Sequence, residues 1–177
     1  AFWNKYQLDW EKRLEPAAMR LDIQGDRVSG RRFVKYVDDE KVWEYHDTEK
    51  YLNGLNVYFE QLDDGNLFYT TTDSSNSSNT DIQAELRLML LDNDGNLVWS
   101  GAVDFAEKEP HINAIFEKDG RLDIIGHSTR FGGASTDKYE YFLLTCDTET
   151  GELVQDERTA AEEYMSIYKV VDLGGQY

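Results

Sequence analysis

With one cysteine, Cys146, among 177 residues, the chain can form no internal disulfide, and the disulfide-stapled scaffolds of small secreted domains are excluded. The residues before it, 141–144, are apolar, and no basic neighbour is present to stabilise a thiolate, so the thiol reads as buried and structural rather than nucleophilic. Long hydrophobic runs are also missing. No stretch approaches the ~18 consecutive apolar residues that a membrane-spanning helix requires. Bases are scarce: 18 Lys and Arg stand against 35 Asp and Glu, a formal charge of -17. That charge repels a phosphate backbone and an anionic membrane surface, which excludes nucleic acid as a partner and makes membrane insertion an unexpected role. The acids are spread along the chain and read as a solubility device.

Cofactor signatures are missing as well. There is no P-loop, GxGxxG or GxSxG, and Gly132-Gly133 reads as loop flexibility. The three histidines, His46, His111 and His127, have no HxH or HExxH spacing, so no metal and no cofactor is expected. Amphipathic helices are wanting: residues 156–164 are too short a stretch, and the N-terminal LDWEKRLEP is ended by Pro16. The chain begins at Ala1 without an initiator Met and without a signal-peptide core. A processed precursor, a trimmed chain and an excised fragment all stay open, as does continuation beyond Tyr177. Asn76 to Ser78 forms a glycosylation triplet in a polar loop.

A period of roughly 55 residues is the strongest feature present. Residues 56–71, NVYFEQLDDGNLFYTT, align with 111–126, HINAIFEKDGRLDIIG, and with 165–177, MSIYKVVDLGGQY. Each reads as strand, tight turn, strand, with turn glycines at Gly65, Gly120 and Gly174; Asp-Gly at the first two favours a hairpin because it tolerates positive φ. A second hairpin recurs as residues 32–44, 86–100 and 141–155, keeping Val42-Trp43 in register with Val98-Trp99. Alternation within a strand puts Ile112, Ala114 and Phe116 on one face against Asn113 and Glu117. Between the hairpins run polar loops over residues 72–81 and 127–137.

Four antiparallel strands per unit, with an aromatic near the last, define an all-β fold, expected to be β-propeller-like with blades of about 55 residues. The expected single domain divides into outer strands of a closing blade at 1–15, with Trp10 matched to Trp43, a short blade at 16–47, blades at 55–103 and 111–160, and inner strands of a further blade at 165–177. The terminal strands would close a small four-bladed ring, or the chain is part of a larger one.

The stretch Leu91, Asp92, Asp94, Gly95, Asn96, Trp99, and its next copy Cys146, Asp147, Glu149, Gly151, Val154, resembles the β-propeller repeats of bacterial secreted proteins and lipoproteins, in which an aliphatic strand leads into LDxDGNxxW. The resemblance covers about residues 56–177 and departs where Gln155 replaces the tryptophan. It implies a fold and an extracellular or cell-surface location, and transfers no catalytic residue.

Asp92 to Asn96 has alternate carboxylates like a calcium loop, but the place of the bidentate glutamate falls on Val103, and a plain hairpin accounts for it. Paired carboxylates are too common in so acidic a chain to diagnose a glycosidase. In a propeller, the loops between blades form a rim around the channel where ligands bind. That rim is expected to present Tyr51, Asp104, Phe105, Glu107, Glu109, His111, His127, Arg130 and Phe131, with Tyr51, Phe105, Phe131 and Tyr164 as exposed aromatics. The function this implies is a noncatalytic binding or scaffolding module for a protein or glycan ligand. The alternatives are a structural subunit that self-associates through blade edges, and a glycosidase-like hydrolase using Asp104, Glu107 and Glu109.

Overall fold

Short alternating segments separated by Asp- and Gly-containing turns produce strands and nothing else among the described residues. The computed structural model describes residues 11–14, 17–24, 27–47, 57–76, 82–106, 108–130 and 139–161. Twelve strands occupy them: β1 Glu11–Leu14, β2 Ala17–Gln24, β3 Arg27–Val37, β4 Glu40–Asp47, β5 Val57–Gln61, β6 Leu67–Asn76, β7 Ile82–Leu91, β8 Leu97–Ala106, β9 Lys108–Lys118, β10 Arg121–Arg130, β11 Glu140–Asp147 and β12 Leu153–Ala160. They form three four-stranded antiparallel sheets, β1 to β4, β5 to β8 and β9 to β12, each a meander in which chain neighbours pair.

The first sheet starts earlier than the sequence suggests. Glu11–Leu14 pairs with β2 through Leu14↔Ala17, so this segment is the first strand of that sheet rather than part of a separate closing unit. The segments 1–10, which carry Trp10, and 162–177, which carry the expected final hairpin and Tyr164, lie outside the described residues. The strands also run further than the polar stretches imply. β6 continues through Thr72 to Asn76, and β10 through His127 to Arg130, because pairing persists along both, as in Asn76↔Ile82 and Ser128↔Glu140. β9 begins at Lys108 and contains Pro110, which an edge strand tolerates because one side of its backbone needs no ladder partner.

The turns divide into two kinds. Asp38-Asp39 and Asp119-Gly120 each place two successive residues at positive φ, as a two-residue hairpin loop demands. The longer turns use an aspartate as a clamp. Asp92 Oδ1 accepts hydrogen bonds from the backbone N–H groups of Asp94 (2.9 Å) and Asn96 (2.8 Å), and Asp147 Oδ1 does the same for Glu149 (3.0 Å) and Thr150 (2.8 Å). The Asn96 side-chain amide, which donates to Asp92 Oδ2 at 2.9 Å, together with these backbone bonds holds the Asp92 carboxyl below the usual carboxylate range, and the backbone N–H and hydroxyl of Thr150 do the same for Asp147. These bonds supply the turn with its ligands from within the chain.

Sheets stack through their faces. Phe33 of the first lies 4.2 Å from Tyr69 and 5.9 Å from Phe59 of the second, joined by Trp43, Leu67, Met89 and Leu91 in one apolar layer. The second layer, between the second and third sheets, gathers Phe68, Leu86, Leu88, Leu90, Trp99, Phe105, Ile115, Leu122, Ile124, Phe142 and Leu144 around Cys146. Burial pushes the Cys146 thiol up to about 11.

One contact recurs at both junctions. Trp43 of β4 lies over Gly95 in the second sheet's turn and donates from Nε1 to Asn93 O (2.8 Å). Trp99 of β8 lies over Gly151 in the third sheet's turn and donates to Thr148 O (2.9 Å). A Cβ on either glycine would strike the indole, so the glycine supplies both a positive φ and the room for a flat ring.

Candidate functional site

At the end of the sheets opposite these turns, the third sheet brings two of the sequence-predicted residues into contact. His111 on β9 and His127 on β10 are cross-strand partners, and their rings stack with centroids 5.1 Å apart and planes 22° from parallel. Tyr139, just before β11, lies 6.1 Å from His127. Asn113 completes the group: His127 Nδ1 is 2.9 Å from its Oδ1. A carbonyl oxygen only accepts, so Nδ1 carries the proton and Nε2 is the ring's acceptor. Burial and the neighbouring His111 both lower the pKa of His127, which keeps the imidazole neutral at pH 7.

A β-bulge creates this arrangement. Ile125 pairs with Ala114 but Gly126 pairs with Ile112, leaving Asn113 as the extra residue of β9. The alternation changes phase there, so Ile112 and Ile115, three apart, both reach the core layer. The strict alternation of Ile112, Ala114 and Phe116 on one face therefore does not hold: Phe116 shares a face with its partner Asp123, away from Leu122 and Ile124. Gly126 permits the close approach, because a Cβ there would meet the His111 carbonyl oxygen and the Phe142 ring. No sequence pattern announced this bulge; Gly126, immediately before the pairing His127-Ser128 segment, was its only trace.

The other predicted site residues have different settings. Phe105 is buried at 2% exposure, not a rim aromatic: it meets Phe142 edge-on at 4.9 Å, and the Arg158 guanidinium covers its other side at 4.3 Å. The apolar layer between sheets claims it because β8 continues inward-facing through Val103 and Phe105. Asp104 serves the backbone. Its Oδ1 accepts from Ala106 N (2.7 Å), holding the corner where Ala106 adopts φ 49° before β9 begins, while Arg158 Nη2 donates to its carbonyl at 3.0 Å. Glu109 pairs with Thr129 in register near the histidines, and Arg130 with Lys108. Tyr51, Glu107 and Phe131 lie outside the described residues. Among the described residues no cluster of three His, Cys, Asp or Glu side chains is placed to hold a metal ion.

A second polar group, unmarked in the sequence, lies between the first and second sheets. Asp47 Oδ2 is 3.3 Å from Arg31 Nη2 and 3.2 Å from Arg87 Nη1, with all three side chains almost fully buried. The arginines come from β3 and β7, more than fifty residues apart, and only sheet stacking brings them to one carboxylate. No protein-family model matches the chain, and no curated protein matches it.

Chemically, the histidine group offers aromatic faces, a neutral imidazole acceptor and an amide on adjoining strands of one sheet. Such a set suits stacking and hydrogen bonding to an uncharged polar ligand.

Proposed function

We propose that this chain is a noncatalytic binding module with a β-propeller-like arrangement, holding a protein or glycan ligand at the end of the sheets that carries His111 and His127. The observation that carries this reading is the stacked histidine pair fixed by Asn113, built by a bulge that costs β9 its regular ladder. Bulges beside functional sites re-aim side chains in this way. Support for the propeller-like arrangement comes from three consecutive four-stranded meanders, of which the first two each rest an outer-strand tryptophan on the next sheet's turn. A glycan fits the site because sugar C–H faces stack on imidazole and phenol rings while hydroxyls donate to an imidazole nitrogen.

The test is a titration of the labelled protein with neutral oligosaccharides of glucose, mannose and N-acetylglucosamine, followed through the ring resonances of His111 and His127. Saturable shifts for one sugar, abolished in Asn113→Ala with the fold intact, support the glycan reading. Absence of shifts with all three, alongside shifts elsewhere on the molecule, overturns it.

A further inference from the structure

A different surface lies at the turn end of the sheets. Six large hydrophobic side chains among the described residues are strongly exposed, 38–54%, and every one flanks an outer-strand turn: Val37, Val42, Leu97, Val98, Leu153 and Val154. Three occupy one equivalent position. In the first sheet Lys35 pairs with Trp43 but Tyr36 with Lys41, so Val42 is the extra residue of a bulge. In the second, Leu90 pairs with Trp99 and Leu91 with Leu97, leaving Val98. In the third, Thr145 pairs with Gln155 and Cys146 with Leu153, leaving Val154. Each bulge leaves its own valine to solvent, and the first two turn the following tryptophan toward the neighbouring sheet.

These valines recur once per sheet along a ridge of outer-strand turns, which the tryptophans tie to one another. Trp43 bonds to Asn93 in the turn that leads into Leu97-Val98, and Trp99 bonds to Thr148 in the turn that leads into Leu153-Val154. Acids flank the ridge throughout: Asp38, Asp39, Glu40, Asp94, Glu149 and Glu152 are all exposed. The bases beside it are engaged, Lys35 with Asn93 and Lys41 with Glu44.

We infer that this acidic, aliphatic ridge docks a cationic amphipathic segment of a partner protein, with aliphatic side chains against the valines and Lys or Arg against the turn carboxylates. Charge complementarity selects this occupant over a second copy, since a chain of charge -17 would bring like charge to the ridge. The bulges also break the regular outer-strand edge, so docking proceeds through side chains rather than by strand addition.

The experiment uses two synthetic peptides of equal charge, one an amphipathic Leu/Lys helix and one with Ser in place of Leu. Each is titrated against the wild-type chain and against the variant Val42→Ser, Val98→Ser, Val154→Ser. The wild type should bind the Leu/Lys peptide about tenfold more tightly than the Ser/Lys peptide, and the triple variant should lose that preference while keeping the salt-dependent residue. Val98→Ser alone should lose part of it, which covers a triple variant that fails to fold. Equal binding of both peptides by the wild type, or an undiminished preference in folded variants, overturns the inference. So does a wild-type dimer in light scattering that the variants abolish, which would assign the ridge to a second copy.

Discussion

Replacing Gly151 by alanine should cost far more stability than replacing Gly120, although both residues sit at φ 73°. The backbone penalty for an L-residue in that region, about 1–2 kcal/mol, is common to the two. Around Gly120 a new Cβ has space, its nearest neighbour being Thr148 Oγ1 at 3.8 Å. Around Gly151 it would lie 2.5 Å from the Trp99 ring, which is rigid and 8% exposed. The indole must lift, losing its hydrogen bond to Thr148 O, about 1 kcal/mol, and part of a buried area of ~200 Å², about another 1–2 kcal/mol. Gly151→Ala should therefore destabilise by about 3–5 kcal/mol and Gly120→Ala by about 1–2. Urea unfolding followed by tryptophan fluorescence and circular dichroism measures both. In a Trp99→Ala background the excess penalty of about 2–3 kcal/mol should vanish, because the obstruction is gone. Equal costs for the two glycines, or an excess that survives loss of Trp99, would refute the proposed seat for the indole.

Asp47→Ala should lower stability by about 3–5 kcal/mol in the same assay, since it withdraws a carboxylate shared by two buried arginines. Cys146 should resist a disulfide reagent at pH 8, where a thiol with a pKa of about 11 is roughly one part in a thousand thiolate, and react fully once urea unfolds the chain. For His127 the folded pKa lies below the unfolded one, so the unfolded state takes up the proton first; stability should fall as pH drops below about 6.5 and level off once the folded group protonates. His127→Gln should flatten that segment of a pH-resolved denaturation series. Asp92 and Asp147 act lower: their depressed folded pKa values give stability present above about 3.8 and lost as pH falls through the folded values, a loss that Asp92→Asn and Asp147→Asn should reduce.

Much of the strand pattern is local and could be read directly. The Asp-Gly pairs locate hairpins because positive φ is a property of single residues, and Cys146 reads as buried from its apolar neighbours alone. Strand ends were harder. A polar stretch such as residues 127–130 looks like loop, yet it remains strand because β9 pairs along all of it and β11 along its first two residues. The candidate site shows the same division. His111 and His127 stood out as chemistry-bearing residues, whereas Asn113 entered only through a bulge, and a bulge is a misfit between two strands that neither strand's sequence contains.

What the sequence by itself determined is the all-β class, the acidity, the free thiol and the spacing that puts Val42-Trp43 in register with Val98-Trp99. The tertiary structure decided where those side chains go. Phe105 became core rather than rim because sheet stacking covers its face, and Arg31, Asp47 and Arg87 became one buried group because two sheets meet there. Local backbone preference acts over a few residues; packing between sheets joins residues fifty apart, and their complementarity exists only once both sheets have formed.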